Sequence, residues 1–160
     1  MRLIVFSADP ANVSRLKSAG GQLTRVSFAQ GNGVHVTQRE RLDALLLTPF
    51  EAEHFGVSPP STLGVAKVER TNNEVRAKGL PMFIVTGVLM QHARPRDWRH
   101  ELHEFLRAGV AAAIEHNAHN DRRIVNIGVL AEDLQVERLD VEVVMQELLL
   151  LDTKLGTTAA

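Results

Sequence analysis

The sequence predicts an α/β domain with three α/β/α layers around a mixed, mainly parallel sheet. Three observations carry this. First, residues 3–6, 42–47, 83–89 and 124–130 are short, continuous apolar runs, as expected for strands covered on both faces. Second, segments with helical periodicity alternate with those runs, and strands alternating with helices imply a parallel sheet flanked by helices. Third, 160 residues, 44% of them hydrophobic and 23% charged, make one globular domain with a sizeable core.

The run Leu3, Ile4, Val5, Phe6 is the first strand. Asp9 follows as a helix cap, with Pro10 at the first helical position. A short helix over residues 11–19 stops at Gly20 and Gly21. Residues 23–29 alternate in polarity and read as a second strand. Gly31, Asn32 and Gly33 break it, and residues 34–36 read as a brief extended continuation. Residues 42–47 form a compact strand that ends at Thr48 and Pro49. Residues 50–79 are irregular, with turn signals at Pro59, Pro60, Gly64, Asn72 and Asn73.

Pro81 precedes the strand over residues 83–89, in which Thr86 and Gly87 mark a bulge or a close approach of backbone. Asp97 is the expected cap of a long helix over residues 98–116, with Leu102, Phe105, Leu106, Val110 and Ala113 on one face. Trp98 at its start either staples the helix to the sheet or walls a cleft. Residues 124–130 form the last strand, 139–151 the last helix and 157–160 a loose tail.

Composition narrows the function. The chain has no cysteine, which excludes disulfides, thiolate metal sites and thiol nucleophiles. Lys and Arg total 18 against 19 Asp and Glu, so there is no basic excess for duplex nucleic acid, although Arg94, Arg96 and Arg99 form a local basic patch. Few aromatics argue against base stacking on single strands. No segment has the length of a membrane span or a signal-peptide core, so a cytoplasmic location is expected.

In such sheets ligands sit beyond the carboxyl ends of the strands, which marks the loops 48–56, 89–97 and 128–133. Glu51, Glu53 and His54 in the first loop are the acid–base candidates, against a reading as ordinary exposed loop residues. Asn32 offers a carboxamide at a tight turn. Gly128 either opens a phosphate loop or is a packing glycine at a strand end. His100 with His103, and His116 with His119, stand one helical turn apart, and a solvated helix surface is favoured over a metal site. The sequence calls for no metal and no cofactor. It contains no P-loop, dinucleotide fingerprint, nucleophile elbow or HExxH.

The stretch RVSFAQGNGVHV followed by RLDALLLTPFEAEHFG, with FIVTGVLM, FLRAGVAAAIEHN, IVNIGVLAEDL and VVMQELLL downstream, resembles the macrodomain family. Gly31 matches the glycine of the family's Gly-Asp-Ile, and Asn32 stands where its adenine-contacting aspartate would be. Asp43, Ala44 and residues 45–47 match the strand Asp-Ala-Ile-Val. The resemblance implies a single domain over residues 1–160, with residues 1–22 as an N-terminal strand–helix extension.

It further implies binding of ADP-ribose or a related nucleotide, with Asn32, Thr48, Phe50, Gly56, Gly128, Val129 and Leu130 as ligand-binding positions. The sequence departs from the pattern in two ways. Thr48 to Glu51 lack the asparagine of hydrolytic relatives, and Gly128 is the sole glycine where the family's phosphate loop is glycine-rich. Glu132 and Asp133 would repel a diphosphate if they faced it. Two alternatives therefore stand: a degenerate, non-catalytic member acting through protein contacts, including homo-oligomers through the leucine-rich last helix, and an ADP-ribosyl hydrolase using Glu51, Glu53 or His54.

Overall fold

The structure, a computed structural model, describes residues 1–20, 22–89, 94–135 and 139–157. The elements run β1 (Arg2–Ser7), α1 (Pro10–Ala19), β2 (Val26–Gln30), α2 (Gly33–Glu40), β3 (Ala44–Leu47), α3 (Pro49–Glu53), β4 (Lys67–Arg70), α4 (Asn73–Ala77), β5 (Phe83–Thr86), α5 (Trp98–His119), β6 (Asn126–Leu130) and α6 (Val141–Thr157). Single 3₁₀ turns at Pro95–Asp97 and Ala131–Leu134 precede α5 and follow β6. The six strands are ordered β2-β1-β6-β3-β5-β4, all parallel except β4, which runs antiparallel to β5.

The alternation of side chains along each strand builds the layers. In β1, Leu3 and Val5 join the core with Leu16 of α1, Leu102 and Phe105 of α5 and Val144 and Leu148 of α6. Ile4 and Phe6 turn the other way, to Val36 of α2 and Ala52 of α3. The sheet is thus sandwiched between α1, α5 and α6 on one face and α2 and α3 on the other, as the apolar runs predict. Burying each of these large side chains stabilises the fold by about 1.5–3 kcal/mol.

Two glycines let α5 seat closely. A Cβ on Gly109 would lie 2.6 Å from Leu46 Cδ1, and one on Gly87 would lie 2.8 Å from the Phe105 ring. The second contact is the close approach expected at Thr86 and Gly87. Asp9 and Pro10 start α1 as expected, the Asp9 carboxylate accepting the Ala11 N–H at 2.9 Å.

Several expectations are corrected. Residues 34–36 are not extended; they belong to α2, which Asn32 caps. The segment 50–79 is not irregular throughout, since it contains α3, β4 and α4. Asp97 makes no side-chain cap bond; it lies in the 3₁₀ turn that leads into α5. The N-terminal strand β1 is hydrogen-bonded on both sides, to β2 and β6. Of the expected tail, Thr157 ends α6 and residues 158–160 lie outside the described residues, as do Gly21 and residues 90–93 of the loop after β5. No helix among the described residues is long and apolar enough to cross a membrane.

Candidate functional site

The carboxyl ends of β1, β6, β3 and β5 lie side by side. The chain leaves β6 through the 3₁₀ turn whose Ala131 and Leu134 join the core under α1, α5 and α6. It leaves β3 through α3, whose Ala52 joins the opposite core. Neighbouring parallel strands whose connections depart to opposite faces open a crevice between them, and ligands of α/β sheets occupy that crevice. Here it lies between β3 and β6.

Carboxyl groups from both sides meet there. Thr48 caps α3 and forms a reciprocal capping box with Glu51. Glu51 Oε1 accepts the Thr48 N–H at 3.0 Å and its hydroxyl at 3.1 Å. This holds the Glu51 carboxylate at the strand end, beside Asp133. Burial pushes the Asp133 carboxyl up to about 9, and the hydrogen bond with Glu51 and the negative charges of Glu51 and Glu132 add to the effect. Burial beside Glu51 thus favours the protonated form of Asp133.

Glu132 is oriented separately. Its Oε1 accepts the Ser7 hydroxyl at 2.5 Å and the Asn12 amide at 3.0 Å. Ser7, the last residue of β1, is fully buried and also accepts the Asp9 N–H at 3.0 Å. Two polar atoms at this end remain enclosed without a partner among the described residues, Asp133 Oδ2 and Thr86 Oγ1. Buried polar atoms are normally satisfied, so such atoms call for an explanation. A proton donor beside a proton acceptor, with unsatisfied polar atoms at the same strand ends, can bind hydroxyl-bearing ligands and move a proton.

Compared with known protein-family models the chain matches none, and no curated protein matches it significantly.

The loops 48–56 and 128–133 are thus brought together through Glu51 and Asp133. The individual candidates fare unevenly. Thr48 and Glu51 lie in the crevice. His54 is occupied elsewhere: its Nδ1 lies 3.0 Å from the Phe50 carbonyl and its ring rests 4.8 Å from the Phe50 ring. Phe50 is 60% exposed, and Glu53 is also exposed. Gly56 ends the turn after α3 with φ of 72°, a conformation that suits glycine, and its N–H bonds to the Glu53 carbonyl. Asn32 directs its Oδ1 to the His35 N–H at 2.9 Å, so that oxygen serves as a helix cap.

Gly128 lies inside β6 rather than in the loop beyond it. A Cβ there would come within 2.5 Å of Leu42 Cδ1 and 3.1 Å of Phe6 Cε1, so packing accounts for the glycine. Val129 is buried in the core and Leu130 packs against the α2–α3 side. Neither side chain belongs to an open loop.

His103 does not stand on a plain solvated surface. With Arg99 it binds Glu147 of α6, which is only 5% exposed, at 2.7 and 3.0 Å. This pairing ties α5 to α6. Among the described residues no group of three or more His, Asp or Glu side chains is arranged to hold a metal.

Ser7, Asn12 and Thr86 were not singled out as site residues from the sequence, and Asp133 entered only as part of the loop 128–133 and as a charge that would repel a diphosphate. Their signal was positional: Ser7 and Thr86 are polar residues that directly follow apolar strand runs, at the carboxyl end where sites form.

Proposed function

We propose that the chain is a macrodomain-like module that binds ADP-ribose or a related nucleotide at the crevice between β3 and β6. The observation that carries this reading is the carboxyl pair at the strand ends, Glu51 held by Thr48 and the enclosed Asp133 with one oxygen unpartnered among the described residues, whose burial raises the Asp133 pKa. Two carboxylates would repel a diphosphate, but a neutral Asp133 lowers that charge and adds a donor. Glu132 is engaged by Ser7 and Asn12, which fixes its direction. The Glu51 carboxylate suits ribose hydroxyls, as an acceptor for their protons.

Isothermal titration with ADP-ribose, with AMP and NAD as comparators, tests it. Saturable binding with a dissociation constant near a micromolar, about −8 kcal/mol, is the expected result. Affinity falls as pH rises through about 9, because Asp133 then gains its charge. No heat at millimolar ligand with folded protein overturns the reading.

One observation favours hydrolysis of an ADP-ribosyl bond as a second reading. A carboxyl pair can divide acid and base roles, and because glycosidases hold theirs about 5–9.5 Å apart, this reading requires the ligand to part Glu51 from Asp133 on entry. Turnover of ADP-ribosylated protein that Asp133→Asn and Glu51→Gln each abolish would support it. The alternative of action through protein contacts rests on α6, where Leu149 and Leu150 are 54% and 57% exposed. Leu149→Ser would shift the mass measured by light scattering under that reading alone.

A further inference from the structure

A second cleft lies at the opposite, amino-terminal end of the strands, and its chemistry is independent of the crevice described above. Phe83 opens β5, and Arg70 closes β4 directly opposite it in the antiparallel register. Cross-strand partners share a face, so Arg70 stands beside Phe83. The last turns of α5 cover the same place: the His116 ring meets the Phe83 ring edge-on at 4.6 Å. His116 Nε2 lies 2.8 Å from the Arg122 carbonyl, which fixes the turn after α5 against the strand. The Arg122 guanidinium then crosses Met82, with Nη1 3.6 Å from the sulfur.

These side chains border an open cavity of about 460 Å³. A hollow of about 210 Å³ continues from Met82, Phe83 and Arg122 to Asp43 and Arg123. Among the described residues, Arg70, Arg122 and Arg123 form no ion pair, with the carboxylates at hand or with any other. Asp43 Oδ2 accepts the Val125 and Asn126 N–H groups, both at 2.9 Å, and Asp121 is the single acid bordering the larger cavity.

We propose that this cleft binds a small aromatic phosphate ester, with the phosphate between Arg70 and Arg122 and the ring against Phe83 and Met82. Two guanidiniums from separate walls favour phosphate over carboxylate. Each planar fork can take two oxygens, and a carboxylate has only enough for one fork. The apolar floor favours an ester with a ring over the bare ion, because a ring edge or face packs on Phe83 and on the thioether.

The test is a titration followed by amide and arginine Nε–H resonances, with phenyl phosphate, inorganic phosphate and phenol as probes. Phenyl phosphate is expected to give saturable shifts confined to residues 68–70, 82–83 and 116–123, and to bind about tenfold or more tightly than either other probe. Arg122→Gln and Arg70→Gln are both exposed changes that leave the dispersed spectrum intact, and each weakens phenyl phosphate by about tenfold, the value of a hydrogen bond to a charged group. Three results overturn the proposal: shifts that do not saturate, shifts spread equally over Arg2 and Arg25, or inorganic phosphate binding as tightly as the ester. Unchanged affinity in Arg122→Gln overturns it as well.

Discussion

The two ends of the sheet use aspartate in opposite ways. At the amino-terminal end, Asp152 of α6 points one oxygen at the N–H groups of Thr24, Arg25 and Val26, at 3.1, 2.5 and 2.9 Å. Asp43 does the same for Val125 and Asn126. Both carboxylates tie down backbone where a strand begins, so they stabilise. At the carboxyl end, Asp133 is enclosed, its carboxyl pushed up by burial, and among the described residues one of its oxygens and the Thr86 hydroxyl lack a partner. Here the polar groups cost stability. The aspartates at the amino-terminal end are satisfied by backbone N–H groups within the fold, whereas Asp133 and Thr86 at the carboxyl end each keep an enclosed oxygen without a partner among the described residues.

That comparison can be broken by substitution. Asp152→Ala is expected to have the largest effect. It strands three strand-start N–H groups at a site only 8% exposed, and chemical denaturation should show a loss of about 3 kcal/mol. Asp133→Asn should act in the opposite direction, raising stability at pH 8 by roughly 2 kcal/mol, because it relieves the burial of an ionisable group.

The sign follows from linkage. The Asp133 carboxyl is raised from 3.8 to about 9, so folding takes up a proton between those values. Its contribution is most favourable below the lower value and declines as pH rises through the upper one. Thermal unfolding of the native chain should therefore become easier across that window, and Asp133→Asn should flatten the slope. A native profile identical to that of the variant would remove the proton from Asp133.

Thr86→Val exchanges an unpartnered buried hydroxyl for a methyl of like shape and should gain about 1 kcal/mol. If it also weakens nucleotide binding, the hydroxyl contacts the ligand. Glu132→Gln should have the smallest effect, within about 0.5 kcal/mol, because the amide oxygen still accepts from Ser7 and Asn12.

The same contrast explains what could be read from the sequence. The interior strands announced themselves because both of their faces are buried, as in Leu45, Leu46 and Leu47. The edge strand β4, KVER, is half-buried and carries three charges, so it lacks that signal. The helix α2 holds only one buried residue, Val36, and its two valines suggested an extended segment. Its start was written in Asn32 and the α3 start in Thr48 with Glu51, cap patterns that outweigh the weak periodicity behind them.

In the crevice, Glu51 was legible because it follows a strand. Its partnership with Asp133 was not, since nothing local reports that β3 and β6 become neighbours. Gly128 stayed open between a phosphate loop and a packing glycine for a related reason: the two look alike until the contact with Leu42 is known.

The placement of β1 also bears on how the chain acquires its shape. Residues 2–7 pair with 26–30 on one side, which is a short reach, but their other edge waits for residues 126–130. During synthesis that edge stays open until residues 126–130 have left the ribosome. Closing the sheet is then a late, long-range step, the kind that slows folding and exposes an unpaired edge to neighbouring chains. Nascent chains of this protein should therefore depend on chaperones until residues 126–130 can pair with β1.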